Sequence, residues 1–124
     1  MIKEIAFTGT PVTDMPRARA FYEGVLGLTP GEEIAGGAWV EYQLGGGTFA
    51  ITTIAGDRWT PSDQGTAVAF EAEDLDDLDR LLEKVKASGA TFFLEKSESP
   101  VCWLAIFHDP DGNKVVLHKR KAAG

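Results

Sequence analysis

Apolar residues along the chain follow two different periods, and the order of these periods repeats in the two halves. In the first half, an apolar strand-like segment over Ile5–Val12 precedes a helix whose apolar residues recur every three or four positions. Three further strand-like segments follow it, at Glu32–Ile34, Ala38–Leu44 and Thr48–Ile54. This order predicts a unit of one strand, one helix and three strands.

The second half repeats this order with different residues. Thr66–Ala72 is strand-like, and an amphipathic helix follows between Asp74 and Gly89. Three more strand-like segments complete the unit, at Thr91–Leu94, Val101–His108 and Asn113–His118. Two such units predict an α+β fold in which paired βαβββ modules form a cupped mixed sheet around a cavity.

Both predicted helices have recognisable ends. Asp14 and Asp74 stand at the N-cap positions, where a carboxylate accepts a hydrogen bond from a free amide of the first turn. Pro16 in the first turn costs no helical hydrogen bond. Gly27 and Gly89 supply the left-handed residue that ends a helix. The helices are therefore the best-defined elements of the sequence.

The polar loop Ala55–Gln64, which carries Trp59, joins the two halves and is short enough to be a connection within one domain. A chain of 124 residues can bury about two thirds of its unfolded surface. We therefore predict a single domain over residues 1–124, made of two modules at about 1–56 and 65–120.

Composition excludes several classes of protein. The net charge of −7 argues against a nucleic-acid partner, because phosphate binding needs clustered Lys and Arg. No apolar run approaches membrane-spanning length, and no apolar signal region follows Met1. The single cysteine, Cys102, cannot form an internal disulfide, which suits a reducing compartment. We therefore expect a cytoplasmic protein without membrane contact.

Several motifs resemble the vicinal oxygen chelate superfamily, which contains glyoxalases, bleomycin resistance proteins and extradiol dioxygenases. The matching residues are Val12-Thr13-Asp14, Arg19-Ala20-Phe21-Tyr22, Leu26-Gly27, Ala69-Phe70-Glu71 before Asp74-Leu75, and Asp109-Pro110-Asp111-Gly112-Asn113. They cover nearly the whole chain. The resemblance implies paired βαβββ modules and commonly a homodimer, but it says less about chemistry, because one fold can serve several functions.

Metal-dependent members of that superfamily hold a divalent ion at four positions, which the resemblance places here at Phe7, Ala50, Ala67 and Val116. None of these side chains offers a nitrogen, oxygen or sulfur donor. We therefore predict no metal and no other cofactor. The alternative is a divalent metal held by displaced ligands.

Two residues are candidates for acid–base catalysis. Strand alternation places His118 on the same face as Val116, and an imidazole titrates near neutral pH. Glu71 shares a face with Ala67 and is a carboxylate in an apolar strand. Glu41 is a similar carboxylate, which we interpret as part of a solvated strand face.

The sequence favours a small-molecule binding protein over an enzyme, without deciding between them. A partly apolar organic ligand would lie in a pocket lined by Phe7, Trp39, Ala50, Thr52, Ala67, Trp103, Val116 and His118. The alternatives are a metal-independent lyase or isomerase that uses His118 and Glu71, and a glyoxalase-type or dioxygenase-type metalloenzyme with displaced ligands.

Overall fold

Each half of the chain folds into a four-stranded mixed sheet with helical segments, as seen in a computed structural model that describes residues 1–122. Residue contacts divide the chain into a first unit, Met1–Pro61, and a second unit that begins at Ser62. The fold class predicted from the sequence, paired βαβββ modules of the α+β class, is confirmed. The description of these units as one domain stays a prediction.

The first unit contains a sheet with the strand order β1-β4-β3-β2, in which β1 and β4 are parallel and the other neighbours are antiparallel. Its strands are β1 (Thr8–Pro11), β2 (Pro30–Ile34), β3 (Trp39–Leu44) and β4 (Gly47–Thr52). Helix α1 (Met15–Arg19) continues as a π-helix (Ala20–Val25), and short 3-10 turns lie at Ala35–Gly37 and Gly56–Arg58.

The start of the first helix is as the sequence predicts, but its second half is not α-helical. The Asp14 carboxylate accepts a hydrogen bond from the Arg17 backbone N–H at 3.1 Å. From Ala20 onward the helix widens, and the Leu26 N–H reaches the carbonyl of Phe21, five residues back, at 3.0 Å. Hydrophobic periodicity does not separate an α-helix from such a local widening.

β1 is shorter than predicted. Its pairing with β4 begins at Thr8 opposite Phe49, and residues 1–7 belong to no strand. The partner strand explains only part of this difference, because β4 starts at Gly47, which the register would place opposite Ala6. Residues before Ala6 therefore have no β4 residue opposite them.

The core of the first unit is aromatic. Tyr22, Tyr42 and Phe49 are all buried, with the Tyr22 and Phe49 ring centroids 5.1 Å apart and those of Tyr42 and Phe49 6.0 Å apart. Phe49 projects from β4 and Tyr42 from β3, where they are register partners. This face of the sheet is therefore covered by the aromatic core, and alternation places the intervening residues on the other face.

The second unit has the same topology. Its elements are β5 (Val68–Glu71), α2 (Leu75–Ala87), β6 (Phe92–Glu98), β7 (Cys102–His108) and β8 (Lys114–Arg120). The strand order is β5-β8-β7-β6, with β5 parallel to β8. The Asp74 carboxylate caps α2 by accepting the Asp77 N–H at 2.8 Å.

The strands β2 and β6 extend beyond their predicted ranges, and both lie at a sheet edge. Most of their side chains are exposed, including charged residues such as Glu33 and Lys96. Hydrophobic patterning underestimates such strands because an edge strand with a solvated face has little apolar signal.

Candidate functional site

The register of the first sheet brings small residues and one carboxylate into a single row across three strands. Gly9 of β1 pairs with Ala50 of β4, and Ala50 pairs with Glu41 of β3. Directly paired residues project to the same face of a sheet, so this row lies on the side opposite Phe49. Strands lie about 4.8 Å apart, which places Gly9 and Glu41 about 10 Å from each other.

Three aromatic side chains gather over this row. The rings of Phe7 and Trp39 meet edge to face, with centroids 5.0 Å apart and planes at 88°. A Cβ added at Gly9 would lie 2.9 Å from the Trp59 indole and 3.7 Å from the Phe7 ring. The outer edge of the Trp59 indole therefore packs directly against Gly9, where a Cβ would push it aside. We call these three rings, together with the row of Gly9, Ala50 and Glu41 beneath them, the aromatic face.

Glu41 is anchored on the aromatic face by an indole. The Trp39 Nε1–H donates to Glu41 Oε2 at 2.9 Å, and the carboxylate is half-buried. Within residues 1–122 we find no Lys, Arg or His paired with this carboxylate. The solvated strand face expected from the sequence is therefore a partly covered surface on which one negative charge lies beside aromatic rings.

Two other predicted pocket residues on this sheet have structural roles. Ala50 is fully buried. Thr52 is also buried, and its hydroxyl donates to the Ala38 carbonyl at 2.9 Å while accepting the Ile54 N–H at 3.0 Å. These two bonds hold the Thr52 hydroxyl within the protein, so its inclusion among the ligand-binding residues gains no support from the structure.

In the second unit, the structure brings the two predicted acid–base residues together. Glu71 of β5 is the register partner of His118 of β8, and Glu71 Oε1 lies 2.5 Å from His118 Nδ1. Glu71 Oε2 accepts the Arg120 backbone N–H at 2.8 Å, with Lys119 Nζ 3.6 Å away. Both carboxylate oxygens are thus engaged, and the pair remains partly open to solvent.

The environment of Glu71 favours its charged form. Partial burial acts to raise the pKa of this carboxyl, but the hydrogen bonds from the Arg120 N–H and His118 outweigh it and hold the pKa below its ordinary value. A carboxylate at Nδ1 orients the imidazole and leaves Nε2 as the nitrogen that can meet a substrate. The pair is therefore chemically able to act as a base.

The remaining predicted residues of the second sheet divide between its two faces. Val116 pairs with Ala69 of β5 and, two residues from His118, lies on the same face as the imidazole. Trp103 instead pairs with Lys119, the neighbour of His118, and so points to the opposite face. The register thus gives no support for Trp103 in the same pocket as His118.

The other histidine lies at a strand end, as the position before the Asp-Pro turn suggests. His108 Nδ1 is 2.9 Å from Thr91 Oγ1, and its Nε2 is 3.7 Å from Asp63 Oδ2. These contacts are separate from those of His118.

The four positions at which the resemblance places metal ligands do not fit a metal ion. Phe7 and Ala50 lie in the first unit, Ala67 immediately precedes β5, and Val116 lies in β8. Their side chains carry only carbon and hydrogen, so none can coordinate a cation. Across residues 1–122, no group of three or more His, Cys, Asp and Glu residues is arranged to hold a metal. The loss of the superfamily's metal in this chain stays a prediction.

Comparison with protein families matches residues 4–117 to the Glyoxalase/Bleomycin resistance protein/Dioxygenase superfamily. This match spans most of the chain. The chain belongs to this superfamily. The resemblance drawn from the sequence motifs is confirmed, whereas membership by itself decides neither the ligand nor the reaction.

Several solved structures share the fold. A glyoxalase/bleomycin resistance protein from Albidiferax ferrireducens T118 is 30% identical, with a TM-score of 0.76 over 94% of this chain and 98% of that one. The antibiotic binding protein TnmS3 from Streptomyces sp. CB03234 is 21% identical, with a TM-score of 0.73 over 97% and 98% of the chains. The fosfomycin resistance protein FosX from Mesorhizobium loti is 20% identical, with a TM-score of 0.72 over 98% and 96%. No curated protein matches by sequence.

The sequence also led us to expect a cellular location and an oligomeric state for this superfamily member. In the part of the chain that the structure describes, no helix is long and apolar enough to cross a membrane. The homodimer that the resemblance implies and the cytoplasmic location stay predictions.

Sequence reasoning did not include Trp59, Glu41 or Gly9 among the site residues. Gly9 carried a usable signal, because a glycine inside a strand often marks a close approach by another group. No local pattern indicates that the approaching group is Trp59, which lies 50 residues further along the chain.

Proposed function

We propose that this superfamily member binds a small, partly apolar organic molecule on the aromatic face of its first unit. The observation that carries the proposal is the packing of Phe7, Trp39 and Trp59 over Gly9. Two of the positions expected for metal ligands, Phe7 and Ala50, lie on this face. Aromatic rings beside a few polar groups are typical of small-molecule sites. The antibiotic binding protein TnmS3, which has a similar fold, supports a binding role.

The exposed part of the aromatic face sets the scale of the affinity. Phe7 and Trp59 expose 47% and 40% of their surfaces. Covering them would remove roughly 150–200 Å² of apolar surface from water, which is worth about 4–5 kcal/mol at 25 cal/mol per Å². Association costs at least about 4 kcal/mol. Burial of these two side chains alone therefore barely offsets the cost of association, and the remaining affinity must come from the ligand's own apolar surface and from polar contacts.

Calorimetric titration with 1-naphthylmethanol and 1-naphthylmethylamine tests this proposal. Gly9→Ala is the informative variant, because its methyl group would meet Trp59 at 2.9 Å and displace the indole. Gly46→Ala is the matched control, since a Cβ there meets nothing within 4 Å. We expect wild type and Gly46→Ala to bind alike and Gly9→Ala to bind at least about threefold more weakly. Absence of heat with both compounds, or equal binding by all three proteins, would contradict the proposal.

A second candidate function is supported by the short contact between Glu71 and His118. A carboxylate that orients an imidazole is the arrangement needed for removal of a proton next to a carbonyl group. We propose, as the alternative, a metal-independent lyase or isomerase in which His118 Nε2 is the base and Glu71 the orienting carboxylate. This alternative requires no ion at the four carbon-only positions.

Hydrogen–deuterium exchange of α-hydroxy ketones, followed by NMR in D₂O, tests the alternative. His118→Gln should abolish any exchange that the wild type accelerates, whereas His108→Gln, the matched change at the other histidine, should leave it unchanged. Glu71→Gln should lower the rate by about tenfold or more, as is typical when an orienting group is removed. Exchange that survives His118→Gln would rule out this role.

A further inference from the structure

We propose that the ligand of the aromatic face is an organic cation, a protonated or alkylated amine whose positive group lies against Glu41. This inference rests on the proposed binding function and goes further, because it names the chemical class of the ligand. It depends on three observations: the partners of Glu41, the rings around it, and the net charge of the chain.

The partners of Glu41 differ from those of Glu23 and Glu71. Glu23 accepts a charged hydrogen bond from Arg19 at 2.7 Å, and Glu71 lies beside His118 and Lys119. Glu41 has only the neutral indole N–H of Trp39, at 2.9 Å on Oε2. In the described residues no side-chain cation lies within 4.0 Å of it. A half-buried carboxylate without a countercharge is the kind of group that a cationic ligand can complete.

The rings near Glu41 favour a cation over a neutral polar group. The π-faces of Trp and Phe carry negative potential and attract ammonium groups within about 6 Å. Phe7 and Trp39 meet edge to face, so their planes form a corner, and the Trp39 indole itself touches the carboxylate. The indole meets Glu41 through its N–H edge, so a cation at Glu41 would be held mainly by the carboxylate, with the ring faces of the corner available to the rest of the ligand.

The charge of the chain acts in the same direction. The net charge of −7 raises the local concentration of small cations and repels anions of the same size. Ring burial alone leaves little net affinity, as estimated above, so the contact with Glu41 would decide which aromatic compounds are bound.

The experiment compares two probes that share one ring system. (1-Naphthylmethyl)trimethylammonium carries a permanent positive charge, and 1-naphthylmethanol is neutral. Calorimetric titration of the whole chain at low salt should give a dissociation constant about tenfold lower for the cation, a difference of about 1.4 kcal/mol. Because the quaternary group cannot lose a proton, the charge of this probe does not change with pH.

Glu41→Gln and Glu83→Gln complete the test. The glutamine introduced by Glu41→Gln can still accept the Trp39 N–H through its amide oxygen, so the indole keeps its position while the charge is removed. Glu83 lies exposed on α2, and its substitution changes the net charge by the same amount. We expect Glu41→Gln to remove the tenfold advantage of the cation and leave 1-naphthylmethanol within twofold, and Glu83→Gln to change neither value.

The wild-type protein provides a check that needs no variant. Raising NaCl from 0.05 to 0.5 M should weaken binding of the cation severalfold and leave the alcohol unchanged, because salt screens the contact with a partly exposed carboxylate. Equal affinity for both probes, unaffected by Glu41→Gln and by salt, would overturn the cation proposal while the binding function stood. If neither probe bound at millimolar concentration, the binding function and the cation proposal would both be wrong.

Discussion

Replacing Tyr42 by phenylalanine removes a single hydroxyl from the core of the first unit. Tyr42 is fully buried, and its hydroxyl donates to Glu23 Oε2 at 2.8 Å. The same carboxylate oxygen accepts Arg19 Nε at 2.7 Å. Phenylalanine keeps the ring and its stacking on Phe49, so the substitution isolates the hydroxyl.

The structure sets both the size of the effect and its dependence on pH. A hydrogen bond to a charged group contributes about 1.5–3 kcal/mol, and Glu23 retains Arg19, so we expect a loss near the lower value, about 1.5 kcal/mol. Burial, and then the hydrogen bond to Glu23, raise the pKa of Tyr42 far above its ordinary value. The unfolded tyrosine ionises at about pH 10. Its stabilisation is therefore fully present below pH 10 and is lost as the pH rises towards the folded pKa.

Urea unfolding of wild type and Tyr42→Phe at pH 8 and pH 11 measures this linkage. At pH 11 the wild type loses about 1.4 kcal/mol through Tyr42 alone, whereas the variant has no such group. The deficit of Tyr42→Phe should therefore fall from about 1.5 kcal/mol at pH 8 to nearly zero at pH 11. Other titrating groups are common to both proteins and cancel. A deficit that is the same at both pH values would refute the reasoning.

Three further predictions concern single positions. Ala35 has a left-handed φ of 56°, which is costly for a residue with a Cβ, so Ala35→Gly should raise the free energy of unfolding by up to about 1 kcal/mol. Unchanged or lower stability in urea would show that the turn is not strained. Asp74→Ala removes the cap on the Asp77 N–H and should lower thermal stability by about 1 kcal/mol; an unaltered melting temperature would contradict the assigned cap. Burial acts to raise the pKa of the Glu71 carboxyl, but the hydrogen bond from the Arg120 N–H outweighs it and lowers this pKa. The stabilisation that Glu71 contributes is therefore present above about pH 4.5 and is lost as the pH falls through the folded pKa. Wild type should therefore lose more stability than Glu71→Gln between pH 6 and pH 3, and parallel acid-unfolding curves would contradict this.

The sequence alone determined the features that depend on residues close together in the chain. Asp14 and Asp74 cap their helices as predicted, because a cap joins residues only three positions apart. The order of strands and helices also followed from local periodicity, and with the motifs it identified the superfamily. Strand lengths were less predictable, since the length of β1 depends on its pairing with β4, a segment some 40 residues away.

The site required the tertiary structure. Alternation along single strands predicted Glu71 and His118 as candidates for acid–base catalysis, but only the register of β5 against β8 placed them opposite each other. The same sheet's register placed Trp103 on the face away from His118. Trp59 reaches Gly9 from a distant loop, and no local pattern encodes such an approach. The physical reason is that cross-strand neighbours are fixed by hydrogen bonding between two segments, and the pattern of one segment by itself does not identify its partner.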